Sequence, residues 1–159
     1  MKRAMRRPTS SGMTLMELLV AIGILLVLFA LSIRTFQGVN SGKALDTEAQ
    51  RIVSQLNEAR SLTLSSKYAS QYGVHFASSS ITLFQGAIYN AASATNTTEL
   101  LNSLVRISQI DLTEGGSDVV FQRLTGVAMQ SGSLTLSLQS DASASKTITI
   151  YATGVVHAQ

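Results

Sequence analysis

The most regular feature of the sequence is an unbroken apolar run from Leu18 to Leu31 near the N-terminus. Together with its flanks, the segment from Met13 to Ile33 is 21 residues long. As a helix it would reach about 30 Å, the thickness of the hydrocarbon core of a bilayer. The pattern therefore predicts a transmembrane helix over residues 13–33. Glu17 lies inside it, where a carboxylate costs roughly 2.5 to 3.5 kcal/mol on insertion scales and so needs a partner or a function.

A second helical pattern follows the apolar run. The stretch from Gln37 to Gly42 contains Gly and Asn, which weaken helix, so we expect a flexible or broken segment there. Apolar residues then recur at spacings of three and four, which predicts an amphipathic helix of about 20 residues that ends near Ser65 or Ser66. We expect this apolar stripe to face the core of a globular domain. Its members are Leu45, Ala49, Ile52, Val53, Leu56 and Ala59.

Beyond Lys67, apolar and polar positions alternate, which is typical of half-buried β-strands. The stretch Ser78–Ser80 predicts a hairpin turn, and Gly86–Asn102, rich in Ala, Ser, Thr and Asn, predicts a long loop. The whole pattern predicts an α+β fold, in which one long N-terminal helix packs on an antiparallel β-sheet. The predicted strands cover Tyr72–Phe76, Ile81–Leu83, Leu104–Asp111, Asp118–Gln122, Leu134–Leu138 and Ile148–Ile150.

The distribution of basic residues around the apolar run predicts its orientation in a membrane. Only Arg34 and Lys43 follow the run closely. Positive charge is favoured on the cytoplasmic side, so we expect the N-terminus in the cytoplasm and the C-terminal domain outside it. The basic residues ahead of the run are Lys2, Arg3, Arg6 and Arg7.

Three interpretations of the N-terminus use the same residues differently. One is an ordinary signal peptide cleaved near Ala30-Leu31-Ser32, although a carboxylate in its apolar region counts against it. Another is an uncleaved signal anchor, which gives Glu17 no function. The third is a leader that is cut after Gly12, so that the apolar helix stays on the mature chain.

The segment from Gly12 to Ile22 resembles the processing motif of type IV prepilins and pseudopilins, in which Gly precedes the cut and Glu is the fifth mature residue. The resemblance implies that a prepilin peptidase cuts between Gly12 and Met13, that Met13 is N-methylated, and that Glu17 acts in assembly. Met13 stands where the family usually has Phe. Glu17 lies one helical turn from the new amino group, so it can pair with the amine of its own chain or of a neighbour.

The second half of the chain resembles the H-type pseudopilins of type II secretion and their relatives (GspH/FimT). The resemblance rests on Leu56–Arg60, Phe121, Gly126 and the closing segment Ile148–Val156. It implies a minor pseudopilin of a type II secretion pseudopilus, not an enzyme. This subunit would be a single-pass protein of the inner membrane, assembled with other pseudopilins by an inner-membrane platform. The alternative is a minor pilin of a type IV pilus or DNA-uptake system.

These patterns divide the chain into four parts. Residues 1–12 form the leader, and residues 13–33 form the transmembrane and assembly helix. A linker and amphipathic helix take up residues 34–66, and a β-rich pseudopilin domain takes up residues 67–159.

The net charge depends on the predicted leader. The chain has twelve basic and nine acidic residues. Four of the basic ones precede Met13, so the mature chain has eight basic residues against nine acidic ones. This balance argues against a broad surface for nucleic acid. Arg106, Arg123 and Lys146 are the basic residues of the sheet region, and they form no cluster in the sequence.

Residues with catalytic or metal-binding chemistry are sparse. There is no cysteine, neither His75 nor His157 has a metal-ligand spacing, and no phosphate loop or nucleophile elbow occurs. We therefore expect no enzymatic activity and no cofactor. Hard oxygen ligands on a flexible turn can hold Ca²⁺, although the spacing here does not match an EF-hand. The candidate calcium ligands are Asp111, Glu114 and Asp118, around Gly115-Gly116.

Overall fold

A computed structural model describes the backbone of residues 12–159, and the side chains of residues 12–30 and 42–159. The predicted leader, apart from Gly12, lies outside the described residues. So do the side chains of residues 31–33, at the end of the predicted transmembrane segment. The chain divides between Val39 and Asn40 into two compact units.

One long helix, α1, spans Leu15–Leu64. It is followed by a short 3-10 helix at Lys67–Ala69. The predicted interruption at Gln37–Gly42 is wrong, because α1 continues through it. A glycine costs only about 1 kcal/mol relative to alanine in a helix, and helix propagation is cooperative, so the residues on both sides outweigh this local weakness. Within residues 12–30 and 42–159, no helix is both long enough and apolar enough to span a membrane.

The second unit contains two antiparallel four-stranded sheets. The first has the strand order β3-β2-β1-β5, and the second has the order β4-β6-β7-β8. The predicted α+β fold is confirmed, with two sheets in place of one. The strands are β1 (Tyr72–Phe76), β2 (Ser80–Gln85), β3 (Thr97–Leu100), β4 (Val105–Leu112), β5 (Asp118–Val120), β6 (Gly132–Leu138), β7 (Ser145–Ile150) and β8 (Val156–Ala158).

The core of this unit lies between the second half of α1 and the two sheets. The predicted apolar stripe is buried, and Ile52, Leu56 and Ala59 have no exposed surface. Val53 is half-buried at the border of the stripe. Burying a large aliphatic side chain contributes about 1.5 to 3 kcal/mol, so this packing is the main stabilisation of the helix against the sheets. Sheet residues in the same core include Phe76, Phe121, Leu134, Leu136, Ile148 and Ile150.

Two short strands differ from the sequence prediction. Strand β3 lies within the predicted loop Gly86–Asn102, and β8 at the C-terminus was not predicted. Most residues of β3 are exposed, so the alternation that reveals a strand is missing from its sequence. The predicted strand Asp118–Gln122 ends earlier, at Val120, and Phe121 forms an isolated bridge with Ala128.

Candidate functional site

The predicted processing site lies directly before the first turn of α1. Gly12, Met13 and Thr14 precede the helix, which begins at Leu15. The Oγ1 atom of Thr14 accepts a hydrogen bond from the backbone N–H of Glu17 at 3.2 Å. Thr14 is therefore the N-cap of α1, and Glu17 occupies the third helical position.

The spacing of Thr14 and Glu17 matches a capping box, a Ser or Thr followed three residues later by Glu or Gln. Sequence reasoning assigned Glu17 only to assembly and missed this local role of the segment. A carboxylate in the first turn is also favoured by the helix dipole. The two features define where the helix starts, so Met13 stands one residue ahead of the N-cap.

The first part of α1 has an apolar surface that is exposed on nearly every side. Each large apolar side chain from Met13 to Phe29 is at least 46% exposed, and only Ala21 is half-buried. Monomeric soluble proteins rarely expose a continuous apolar surface of this size. The segment is therefore suited to a lipid or protein environment.

A second candidate site joins the end of α1 to two turns of the sheet domain. The Arg60 Nε–H donates to the carbonyl oxygen of Gly126 at 3.0 Å, and Nη2 donates to that of Thr153 at 3.4 Å. We call this group the Arg60 cluster, and its members are Arg60, Gly126, Thr153 and Gly154. It brings together residues from three separate segments that carried the family resemblance.

Both glycines of the Arg60 cluster have backbone conformations that other residues rarely adopt. Gly126 has φ +66° and Gly154 has φ +79°. A Cβ atom at position 154 would lie 2.0 Å from the carbonyl oxygen of Gly126. Glycine is therefore required at position 154 both for its φ and for the close approach of the two turns.

The predicted calcium ligands are not brought together. Among the residues that the structure describes, no group of three or more His, Asp or Glu side chains lies close enough to hold a metal ion. Asp118 instead accepts a hydrogen bond from His75 Nδ1 at 2.5 Å. Tyr89 stacks on the same imidazole ring, with 3.9 Å between the ring centroids. Asp118 therefore helps to hold the loop after β2 against the sheet.

Two of the three basic residues of the sheet region, Arg106 and Lys146, do not share a surface. Arg106 is directly opposite Ser137 on the neighbouring strand and donates to its Oγ at 3.4 Å. Lys146 is opposite Leu136 and forms an ion pair with Asp46 at 2.6 Å. Side chains of successive residues point to opposite faces of a sheet, so Arg106 and Lys146 lie on different faces. These two residues therefore do not form a basic patch together.

Comparison with known proteins relates this fold to a family of transport proteins. Residues 48–154 match the family described as type II transport protein GspH. No curated protein matches the chain. The structure is similar to the crystal structure of the type IV minor pilin FimU of Pseudomonas aeruginosa, with 10% sequence identity and a TM-score of 0.54. The match covers 72% of this chain and 92% of FimU, and at this identity it concerns the fold alone.

Proposed function

The chain belongs to the GspH family of type II transport proteins, and from this premise we propose that it is a minor pseudopilin, a structural subunit of a type II secretion pseudopilus. The observation that carries the proposal is the exposed apolar helix that begins at a capped Thr14. The pilin-like α+β domain that follows agrees with it. Such a chain functions by joining other subunits and not by catalysis.

Prepilin peptidase cleaves the chain between Gly12 and Met13 in this proposal, and the new N-terminus of Met13 is methylated. The non-helical backbone of Gly12 and Met13 supports this assignment, because the cut then falls outside the hydrogen-bonded helix. The apolar helix stays on the mature subunit. It holds the chain in the inner membrane by a single pass, with the sheet domain outside the cytoplasm.

Glu17 directs the docking of the processed subunit. Its carboxylate lies in the first turn of α1, one turn from the amino group that cleavage creates on Met13. In an apolar environment, a carboxylate and an ammonium group are each costly alone and stabilise each other as a pair. Glu17 pairs with the Met13 amine of a neighbouring pseudopilin. This ion pair stabilises the subunit in the correct axial register when the assembly platform adds it to the fibre.

N-terminal mass spectrometry of the membrane-extracted chain tests the processing. We expect a mature protein that starts with N-methylated Met13. A start near Ile33 would instead show an ordinary secreted protein and would refute the proposal.

Glu17→Ala tests the assembly function separately from processing. We expect the variant to be cleaved normally and to fail to enter the fibre, because the Met13 amine has lost its partner. Glu58→Ala is the matched control, since Glu58 is an exposed carboxylate on the second half of the same helix. Equal incorporation of the two variants would contradict the role of Glu17.

The fold similarity to a type IV minor pilin favours one alternative, a minor subunit of a pilus or DNA-uptake system. Deletion of the gene distinguishes the two. Loss of protein secretion with normal pili supports the pseudopilus, and loss of pili or of DNA uptake with normal secretion supports the alternative.

A further inference from the structure

A small recess opens beside α1, at the start of the part of the helix that packs on the sheets. Its volume is about 220 Å³. One wall is formed by α1 and the other by the loop between β3 and β4. The recess combines apolar and polar side chains, and its lining residues are Lys43, Ala44, Thr47, Glu48, Asn102 and Leu104.

Glu48 is a buried carboxylate with an unsatisfied oxygen. The residue is only 5% exposed, and its Oε2 atom has no hydrogen-bond partner among the described residues. Its Oε1 atom lies 3.6 Å from Arg51 Nη1, well beyond the roughly 2.7 to 2.9 Å of a charge-assisted hydrogen bond. A buried charge of this kind is costly unless it is paired.

Arg51 compensates Glu48 only in part, because it binds another carboxylate more closely. Its Nε and Nη2 atoms lie 2.8 and 2.7 Å from Glu99 Oε2, and its Nη1 donates to the carbonyl oxygen of Leu100. Gln55 donates to the other oxygen of Glu99 at 2.6 Å. Two carboxylates therefore share one guanidinium group, and the remaining negative charge is on Glu48.

Lys43 also lines the recess, but it forms no ion pair with Glu48. The two residues are five positions apart, so their side chains leave the helix about 140° apart. Within the described part of the chain, Lys43 forms no ion pair, and its side chain is exposed. Its positive charge at the rim repels an entering cation and so weakens cation binding in the recess, but its side chain does not occupy the recess.

We propose that the recess receives a Lys or Arg side chain of an adjoining subunit, whose cationic group pairs with the Glu48 carboxylate. A long basic side chain suits both walls, because its aliphatic stem packs on Ala44 and Leu104 while its head reaches the carboxylate. Leu104 is 42% exposed and so is free to make this contact. The inference rests on the proposed function, since the cation is taken to come from a neighbour in the fibre.

Glu48→Gln separates this role from a structural one, because it keeps the shape of the side chain and removes the charge. In the isolated full-length protein, we expect the variant to melt a few degrees higher, since a buried charge that Arg51 compensates only in part is lost. In the assembled state, we expect the contact at the recess to weaken roughly tenfold or more, since a hydrogen bond to a charged group is lost. A lower melting temperature together with an unchanged contact would overturn the proposal.

Photo-crosslinking in intact cells measures the contact. A photoreactive residue at Thr47, on the exposed side of the recess, reports on the proposed interface. One at Leu25, in the apolar part of α1, reports on assembly in general. We expect crosslinks to a pseudopilin from both positions, and Glu48→Gln should abolish only the one from position 47.

The other outcomes separate the two proposals. Crosslinks from position 25 without any from position 47 would overturn the recess contact and leave the proposed function intact. An absence of crosslinks from both positions would refute the proposed function. Lys43→Met provides a variant that leaves the buried charge in place, and it should raise the yield from position 47, because a repelling cation is removed. A decrease in that yield would contradict the proposal.

Discussion

The two parts of helix α1 have the same secondary structure and opposite surroundings. From Leu15 to Ala30, nearly every side chain is exposed, and most are apolar. From Leu45 to Arg60, a single apolar stripe is buried against the sheets, and polar residues beside it bind other elements. The second part is thus stabilised by its own domain, whereas the apolar surface of the first part is left exposed.

The largest expected effect contrasts two isoleucines on the same helix. Ile52 is fully buried in the core, and Ile24 is 56% exposed. Ile52→Ala should reduce the free energy of unfolding by about 4 kcal/mol, because it removes buried methyl groups and leaves a cavity. Ile24→Ala should change it by less than about 0.5 kcal/mol. Urea denaturation of the detergent-solubilised chain, followed by circular dichroism of the sheet domain, measures both.

Similar losses of unfolding free energy for the two isoleucine variants would contradict the difference between the two parts of α1. They would mean that the first part of α1 contributes to the stability of the sheet domain. Ile24→Ala should instead reduce incorporation into the fibre, which crosslinking from position 25 measures.

The next effect concerns the close contact of two turns in the Arg60 cluster. Gly154→Ala should destabilise the domain by about 3 kcal/mol, through a positive φ and a clash with the Gly126 carbonyl. Gly116 also has a positive φ, +86°, but its Cβ would meet no other atom within 4 Å. Gly116→Ala should therefore cost only about 1 kcal/mol. Thermal melting measures both losses of stability. Gly116→Ala reports backbone strain alone, and Gly154→Ala reports strain together with the clash, so equal losses would exclude the clash.

The buried stripe of α1 could be predicted from the sequence, and the polar sites that depend on distant segments could not. The spacing of Leu45, Ile52 and Leu56 follows the helical period, and burial against the sheets confirms it. Strand β3 was not predicted because most of its residues are exposed, so its sequence shows no alternation of apolar and polar positions. It is a strand because it pairs with β2. Glu48 reads as an ordinary polar helix residue in the sequence, but it is buried in the structure.

The residues of the Arg60 cluster could be singled out through family resemblance, but their arrangement could not. Arg60 is 66 residues from Gly126 and 93 from Thr153, and no local pattern connects them. The opposite holds for Thr14 and Glu17, whose relation is local. Their capping box was present in the sequence and was missed, because the carboxylate was considered in relation to the membrane and the Met13 amine, and not to Thr14.

A smaller effect tests whether the Arg60 cluster fastens the second part of α1 to the sheets. Arg60→Met keeps most of the aliphatic stem and should cost about 2 kcal/mol, because it leaves the Gly126 carbonyl without its charged donor. Arg123→Met is the control, since Arg123 is exposed and makes no hydrogen bond within the described residues. That variant should change the unfolding free energy by less than about 0.5 kcal/mol. If both melt alike, the cluster adds nothing to the packing of the helix.

The smallest expected effect concerns the start of α1, where stabilisation is local. Thr14→Ala removes the acceptor for the Glu17 amide and should weaken the first turn by about 1 kcal/mol, with no loss for the sheet domain. Hydrogen exchange of the Glu17 amide, in micelles that contain the full chain, should therefore speed up roughly fivefold for this variant. Thr14→Ser keeps a hydroxyl and should exchange like the unaltered chain. Equal exchange in all three proteins would show that the micelle, and not the cap, orders the first turn, and Glu17 would then be placed for assembly by its surroundings alone.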